Sequence, residues 1–114
     1  MEIRIIREQI EEDDLRALAK EFYGHMVKGV VDLEREIVAF GGEFHADANA
    51  VLVDDGSQQV DVWGFNWYFD APDEEKVEYT SLINIRPHLG NRQMEIIDAG
   101  IREKVRTIVL KKII

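Results

Sequence analysis

Hydrophobic and polar residues alternate along several short stretches of the chain, which is the pattern of half-buried β-strands. The longest such stretch, residues 60–69, places four aromatic side chains on one face: Trp63, Phe65, Trp67 and Phe69. Alternation predicts five strands, with a further short one near the end, over residues 1–6, 27–33, 37–40, 60–69, 77–86 and 93–97. Most of these strands follow one another closely, so we expect a mostly antiparallel sheet.

Helical spacing of apolar residues marks the two ends of the chain. One stripe predicts a helix over residues 11–23 that ends at Gly24. The stripe consists of Leu15, Leu18, Ala19 and Phe22. A second stripe predicts a helix over residues 99–112, with Asp98 as its N-cap. This stripe consists of Ile101, Val105, Ile108 and Val109. We expect both helices to pack on the aromatic face of the sheet, so the predicted fold is a single α+β domain over residues 1–114.

The segment 47–55 is ambiguous between strand and helix. Val51-Leu52-Val53 favours a strand, whereas the alanines at positions 46, 48 and 50, an N-cap at Asp47 and a terminating Gly56 favour a helix. We favour a short helix here.

The amino-acid composition makes some classes of binding partner less expected. A chain of 114 residues with a formal net charge of -9 repels phosphate backbones and anionic membrane surfaces, so neither nucleic acid nor a membrane is an expected partner. No cysteine is present, and no apolar run follows a basic start. We therefore expect a cytoplasmic protein.

Polar groups able to bind a ligand are concentrated around the end of the predicted strand 77–86. Alternation would place Asn84 and Arg86 on one face, beside Asn66 and Tyr68 of the preceding strand, with Asn91 and Arg92 in the following loop. Arginine and amide groups suit a carboxylate or another small anion. The alternative is internal: the arginines would pair with the chain's own carboxylates, such as Glu78 or Glu95, and the asparagines would tie down the loop.

A second candidate site is Glu43, His45 and Asp47, which would line one face if the chain is extended there. Imidazole and carboxylate groups can bind a divalent metal, so a metal-dependent hydrolase is one alternative. A solvated or capping role is the favoured interpretation, since three ligands on one strand seldom converge. No nucleophile motif or phosphate-binding glycine loop occurs, and we expect no cofactor.

These observations favour a non-enzymatic module that binds a small anion or a carboxylate. One alternative is an acidic interaction subunit that binds a basic protein partner. If a single helix covered the aromatic row, the remaining apolar area would also favour a homodimer.

The chain resembles a small uncharacterised family of archaeal and bacterial proteins. The resemblance lies in Gly41-Gly42-Glu43, His45-Ala46-Asp47-Ala48, Asp55-Gly56-Ser57, Trp63-Gly64 with Asn66, Ser81-Leu82-Ile83-Asn84-Ile85-Arg86-Pro87 and Gly90-Asn91-Arg92. The spacing of these blocks also matches, so the likeness extends over nearly the whole chain. It implies membership of a domain family of unknown function, without catalytic residues to carry over.

Overall fold

The computed structural model describes all 114 residues. Its five strands are β1 (Ile3–Ile6), β2 (Met26–Asp32), β3 (Ile37–Gly41), β4 (Val62–Tyr68) and β5 (Val77–Glu78). Its three α-helices are α1 (Glu12–Ala19), α2 (His45–Asp54) and α3 (Ala99–Lys112). None of the helices combines the length and the hydrophobicity that spanning a bilayer requires.

The five strands form one antiparallel sheet in the order β1-β3-β2-β4-β5. The predicted α+β class and five-stranded sheet are therefore confirmed. A two-residue β5 pairs only with Asn66 and Trp67, so most of the outer edge of β4 has no regular neighbouring strand.

Helices cover both faces of the sheet. The predicted packing of the terminal helices is confirmed, because residues of α1 and α3 share one core of 18 buried residues with Trp63, Phe65, Trp67 and Phe69. The helix predicted in the middle of the chain, α2, covers the opposite face. There Ala48 and Leu52 pack with Val30, Ala39 and Val62 in a second core.

Helix α1 is shorter than predicted. It ends at Ala19, and Gly24, in the left-handed conformation, donates its N–H to the Ala19 carbonyl. Phe22, predicted to belong to the buried stripe, is exposed. The cause is local. After Ala19 the chain forms tight turns that lead towards β2, so the helix does not continue to Phe22.

The predicted strand 77–86 is wrong beyond Glu78, and the predicted strand 93–97 does not form. Ser81 Oγ accepts a hydrogen bond from Ile83 N at 3.3 Å, which bends the chain into a 3-10 turn at Leu82–Asn84. A second 3-10 turn follows at Pro87–Leu89. Only an isolated bridge, between Thr80 and Glu95, remains of the second predicted strand.

Helix α2 begins at His45, and Phe44 occupies the N-cap position that was predicted for Asp47. Gly41 and Gly42 both have positive φ angles, of 117° and 91°, which turn the chain from β3 back across the sheet. Asp47 is the third helical residue, and its Oδ2 accepts from Phe44 N at 3.0 Å, so it stabilises the helix start from inside the first turn.

Candidate functional site

The side chains predicted to bind a ligand lie mainly in residues 80–95, which fold back on themselves beside β4. Antiparallel bridges join Thr80 to Glu95 and Arg86 to Asn91. We call this segment the edge hairpin, because it covers the part of the β4 edge that β5 leaves free.

The Asn84 side chain takes the place of a neighbouring strand. It is fully buried; its Oδ1 accepts from Gly64 N at 2.8 Å, and its Nδ2 donates to Gly64 O at 3.0 Å. A backbone peptide makes the same pair of bonds in an antiparallel ladder. Because Nδ2 also donates to Met94 O at 3.2 Å, Asn84 joins both arms of the hairpin to the sheet.

Arg86 extends this pattern along the β4 edge. Its guanidinium donates through Nε to Ile83 O at 3.0 Å and through Nη2 to Val62 O, and it lies 4.8 Å from the centroid of the Trp63 ring. The residue is 6% exposed, and burial lowers the pKa of its guanidinium. The guanidinium therefore contacts two main-chain carbonyls and an aromatic face but no carboxylate, and its Nη1 has no hydrogen-bond partner.

Asn91 closes the hairpin. Its Nδ2 lies 2.8, 2.9 and 3.0 Å from the carbonyl oxygens of Asn84, Gln93 and Glu95, and its Oδ1 accepts from Ile97 N at 2.9 Å. The alternative in which the asparagines tie down this loop is therefore confirmed for Asn84 and Asn91.

The predicted pairing of the two arginines with the protein's own carboxylates is wrong. Arg86 bonds main-chain oxygens, and Arg92 is exposed without an ion pair or side-chain hydrogen bond. Glu95 instead pairs with Arg102 at 3.4 Å. Arg92 is therefore a free cation on the hairpin surface.

Asn66 and Tyr68 are held together by one carboxylate. Asn66 Nδ2 and the Tyr68 hydroxyl donate to Glu78 Oε1 at 2.8 and 3.0 Å. Burial and the bond to Glu78 raise the pKa of Tyr68. The six predicted residues thus do not form one donor surface: Asn84, Arg86 and Asn91 face inward, whereas Asn66 and Tyr68 meet at Glu78.

Gly64 leaves no room for a side chain, because the hairpin packs directly on it. An added Cβ would lie 2.6 Å from Ser81 Cβ and 2.7 Å from Ser81 Oγ. We expect Gly64→Ala to displace the hairpin and lower the free energy of unfolding, measured by urea denaturation, by about 2 kcal/mol. Adding Ser81→Gly removes the clashing atoms, so the double variant should lose less than the sum of the single losses. Simple additivity would contradict this packing.

A groove of about 450 Å³ lies between the start of α2 and the edge hairpin. Apolar side chains form much of its wall, among them Phe44, Leu82 and Met94. Its polar lining residues are Lys28, His45, Asn66, Thr80 and Ser81. Asn66 is the one residue of the six predicted binding residues that lines this groove.

His45 lies in the wall of the groove as a neutral imidazole. Its Nε2 is 2.8 Å from the Phe65 carbonyl oxygen, which can only accept, so Nε2 carries the proton and Nδ1 keeps its lone pair. Burial lowers the pKa of His45 to about 4, although the bond to Phe65 favours protonation. The positive charge of Lys28 lowers this pKa further.

Lys28 is the charged side chain of the groove. It lies directly across from Asn66 in the β2–β4 pairing, and its Nζ is 5.2 and 5.7 Å from the ring centroids of Tyr23 and Phe44. Like the other five lysines of the chain, it forms no ion pair. Asn66 Oδ1, buried next to it, has no hydrogen-bond partner. The groove thus combines an available cation, a buried amide oxygen and apolar walls.

A larger depression, of about 550 Å³, lies against α3 but has a different character. Glu36, Glu103, Lys104 and Thr107, which line it, are exposed polar side chains of the surface. None of them is buried or held in a fixed arrangement, so the groove beside α2 is the better candidate site.

The second predicted site does not assemble. His45 is bonded to Phe65, Asp47 stabilises the start of α2, and Glu43 is exposed. No three histidine, aspartate or glutamate side chains lie together in an arrangement that could hold a metal ion. Asp47 does stabilise the helix start, but as the third helical residue and not as the predicted N-cap.

Sequence reasoning missed Lys28 as a site residue. Lys28 is a charged residue within a run of β-branched residues, in a segment predicted to be a strand. That contrast was the available signal. The register of Lys28 with Asn66 could not be known before the β2–β4 pairing was known.

Together, the sheet with helices on both faces and the groove with one lysine define a small α+β protein with a ligand-sized cleft. The chain belongs to the family described as Protein of unknown function (DUF5674), whose model matches residues 4–112. This confirms the resemblance to an uncharacterised family. No curated protein and no solved structure matches the chain significantly.

Proposed function

We propose that this protein is a non-enzymatic binding module for a small organic anion, held in the groove between α2 and the edge hairpin. The observation that carries the proposal is Lys28, a half-buried ammonium group without a carboxylate partner in a chain of net charge -9. An ammonium group beside an apolar cleft, with no carboxylate of the chain to neutralise it, is suited to a negative charge from outside.

The rest of the groove limits the ligand. Phe44, Leu82 and Met94 favour an apolar body. His45 Nδ1 and Asn66 Oδ1 are acceptors, so a ligand that also carries a hydroxyl or amide N–H would complement them. We therefore propose a carboxylate- or phosphate-bearing compound with an apolar part.

The test is thermal unfolding of the protein against a panel of aliphatic and aromatic carboxylates and phosphate esters. At a concentration of about 100 times its Kd, a ligand should stabilise the fold by about 2.7 kcal/mol, which raises Tm by several degrees. Lys28→Gln should abolish this rise.

Lys20→Gln is the matched control, because Lys20 is exposed and makes no ion pair or side-chain hydrogen bond. It should leave the ligand-induced rise unchanged. The proposal is refuted if no compound stabilises the protein, or if both lysine variants weaken the response equally.

A further inference from the structure

The edge hairpin has an inverted distribution of polar and apolar side chains. Its buried polar residues are Ser81, Asn84, Arg86 and Asn91. Its exposed apolar residues are Leu82 at 70%, Ile85 and Met94 at 41% and Leu89 at 40% exposure. Single exposed apolar residues are common on protein surfaces, but here four of them fall within residues 82–94.

The hydrogen bonds of the hairpin explain this inversion. Asn84 and Arg86 use their side chains to satisfy the β4 edge, and Asn91 uses its amide to close the loop. These polar groups must therefore point inward. The neighbouring apolar residues have no place in either core, and they remain at the surface.

The charge of this segment also differs from that of the rest of the chain. Residues 79–94 include no aspartate or glutamate, although the chain has 23 acidic residues. They include Arg92, an exposed cation without an ion pair. The segment thus exposes apolar side chains and one unpaired cation, and it lacks the acidic groups found elsewhere in the chain.

We propose that the hairpin surface, which we define as Leu82, Ile85, Leu89, Arg92 and Met94, docks an acidic segment of a partner protein. The segment would carry apolar side chains, which cover the exposed leucines and isoleucine, and carboxylates, which pair with Arg92. A second copy is a poorer occupant, because the hairpin surface has no carboxylate of its own to pair with Arg92 across a two-fold interface.

The hairpin surface overlaps the proposed ligand groove only in part. Ile85, Leu89 and Arg92 do not line the groove, although Leu82 and Met94 border both. Substitutions at Leu89 and Lys28 therefore test the two proposals separately.

The test is an NMR titration of the ¹⁵N-labelled full chain with three short synthetic peptides of equal length. One peptide combines leucine and glutamate, the second leucine and lysine, and the third serine and glutamate. We expect the leucine–glutamate peptide to shift the backbone amides of residues 82–94 and to bind at least about tenfold more tightly than the others. Its affinity should fall as ionic strength rises.

Matched variants assign the binding to individual side chains. Leu89→Ser should weaken it, whereas Leu110→Ser on α3, exposed to the same degree at 41%, should not. Arg92→Gln should weaken binding and reduce its salt dependence, whereas Lys20→Gln should change neither. Lys28→Gln should leave peptide binding intact, even where it abolishes stabilisation by a small anion.

Several results would overturn the docking proposal. One is equal or stronger binding of the leucine–lysine peptide, which would instead support the basic partner of an acidic interaction subunit. Others are shifts confined to residues outside the hairpin, or no binding by any of the three peptides. If sedimentation showed that the protein is a dimer and that Leu89→Ser converts it to a monomer, the occupant of the hairpin surface would be a second copy of the chain.

Discussion

Asn84→Ala should lower the free energy of unfolding by about 4 kcal/mol, out of a total of about 5–15 kcal/mol for a typical domain. The substitution leaves three main-chain groups without their partner: Gly64 N, Gly64 O and Met94 O. All three bonds come from a side chain with 0% exposure. Each buried group left unpaired costs about 1–3 kcal/mol, and water entering the space recovers part of this cost.

Urea denaturation gives the global effect of Asn84→Ala, and amide hydrogen exchange gives the local one. The Gly64 N–H should lose protection, because Asn84 Oδ1 is its acceptor. Asn49→Ala is the matched control: the Asn49 amide makes two bonds of 2.8 Å to Gln59 at the surface. Since alanine is also the better helix former, the control should change stability by less than about 1 kcal/mol.

Asn84→Asp separates the acceptor role of this side chain from its donor role. The introduced carboxylate can still accept from Gly64 N but cannot donate to the two carbonyls while it is ionised. It should therefore destabilise at neutral pH at least as much as alanine and recover stability as acid protonates it. A loss below about 1 kcal/mol for both variants would contradict the proposed replacement of a strand by a side chain.

The fold could be predicted where one physical signal dominates. Alternation in β4 and the helical stripe of α3 each come from a single buried face, and the core of 18 residues brings these two faces together. Helix α2 was ambiguous because its exposed and buried residues are both apolar; Val53, for example, is 41% exposed. For such a segment, the hydrophobic pattern alone cannot separate helix from strand.

The prediction failed at residues 79–86 because alternation there has a different cause. Ser81 and Asn84 bond to main-chain groups, which stabilises a 3-10 turn in place of a ladder. Both residue types are common in turns, so a signal was present in the sequence. The partner of Asn84 is Gly64, twenty residues away, and no local pattern reveals it.

The groove could not be predicted for a related reason. Lys28, His45 and Asn66 are distant in sequence, and they meet only because β2 pairs with β4 while Gly41 and Gly42 turn α2 across them. The predicted site was chosen by residue type, and three of its residues, Asn84, Arg86 and Asn91, instead stabilise the edge hairpin. The same residue types, arginine and asparagine, can hydrogen-bond the edge of a sheet or bind a ligand, so residue type alone does not distinguish the two roles.

The free energy of unfolding should fall by about 3 kcal/mol through His45 as the pH decreases from 6.5 to 4. The pKa of His45 is lowered from 6.5 to about 4 in the folded protein, chiefly by burial. A lowered pKa means that the unfolded chain takes up the proton first. The stabilising contribution of neutral His45 is therefore complete above pH 6.5, is lost as the pH falls towards 4, and changes no further below that value.

Carboxylates also titrate in acid, so the contribution of His45 must be measured as a difference. His45→Gln retains a donor for the Phe65 carbonyl but does not titrate, and its free energy of unfolding should fall less steeply between pH 6.5 and 4. Ring NMR should place the proton on Nε2 and give a midpoint near 4. Parallel pH profiles for the two proteins, or a midpoint near the ordinary value of about 6.5, would show that the imidazole in the groove is hydrated and not buried as a neutral group.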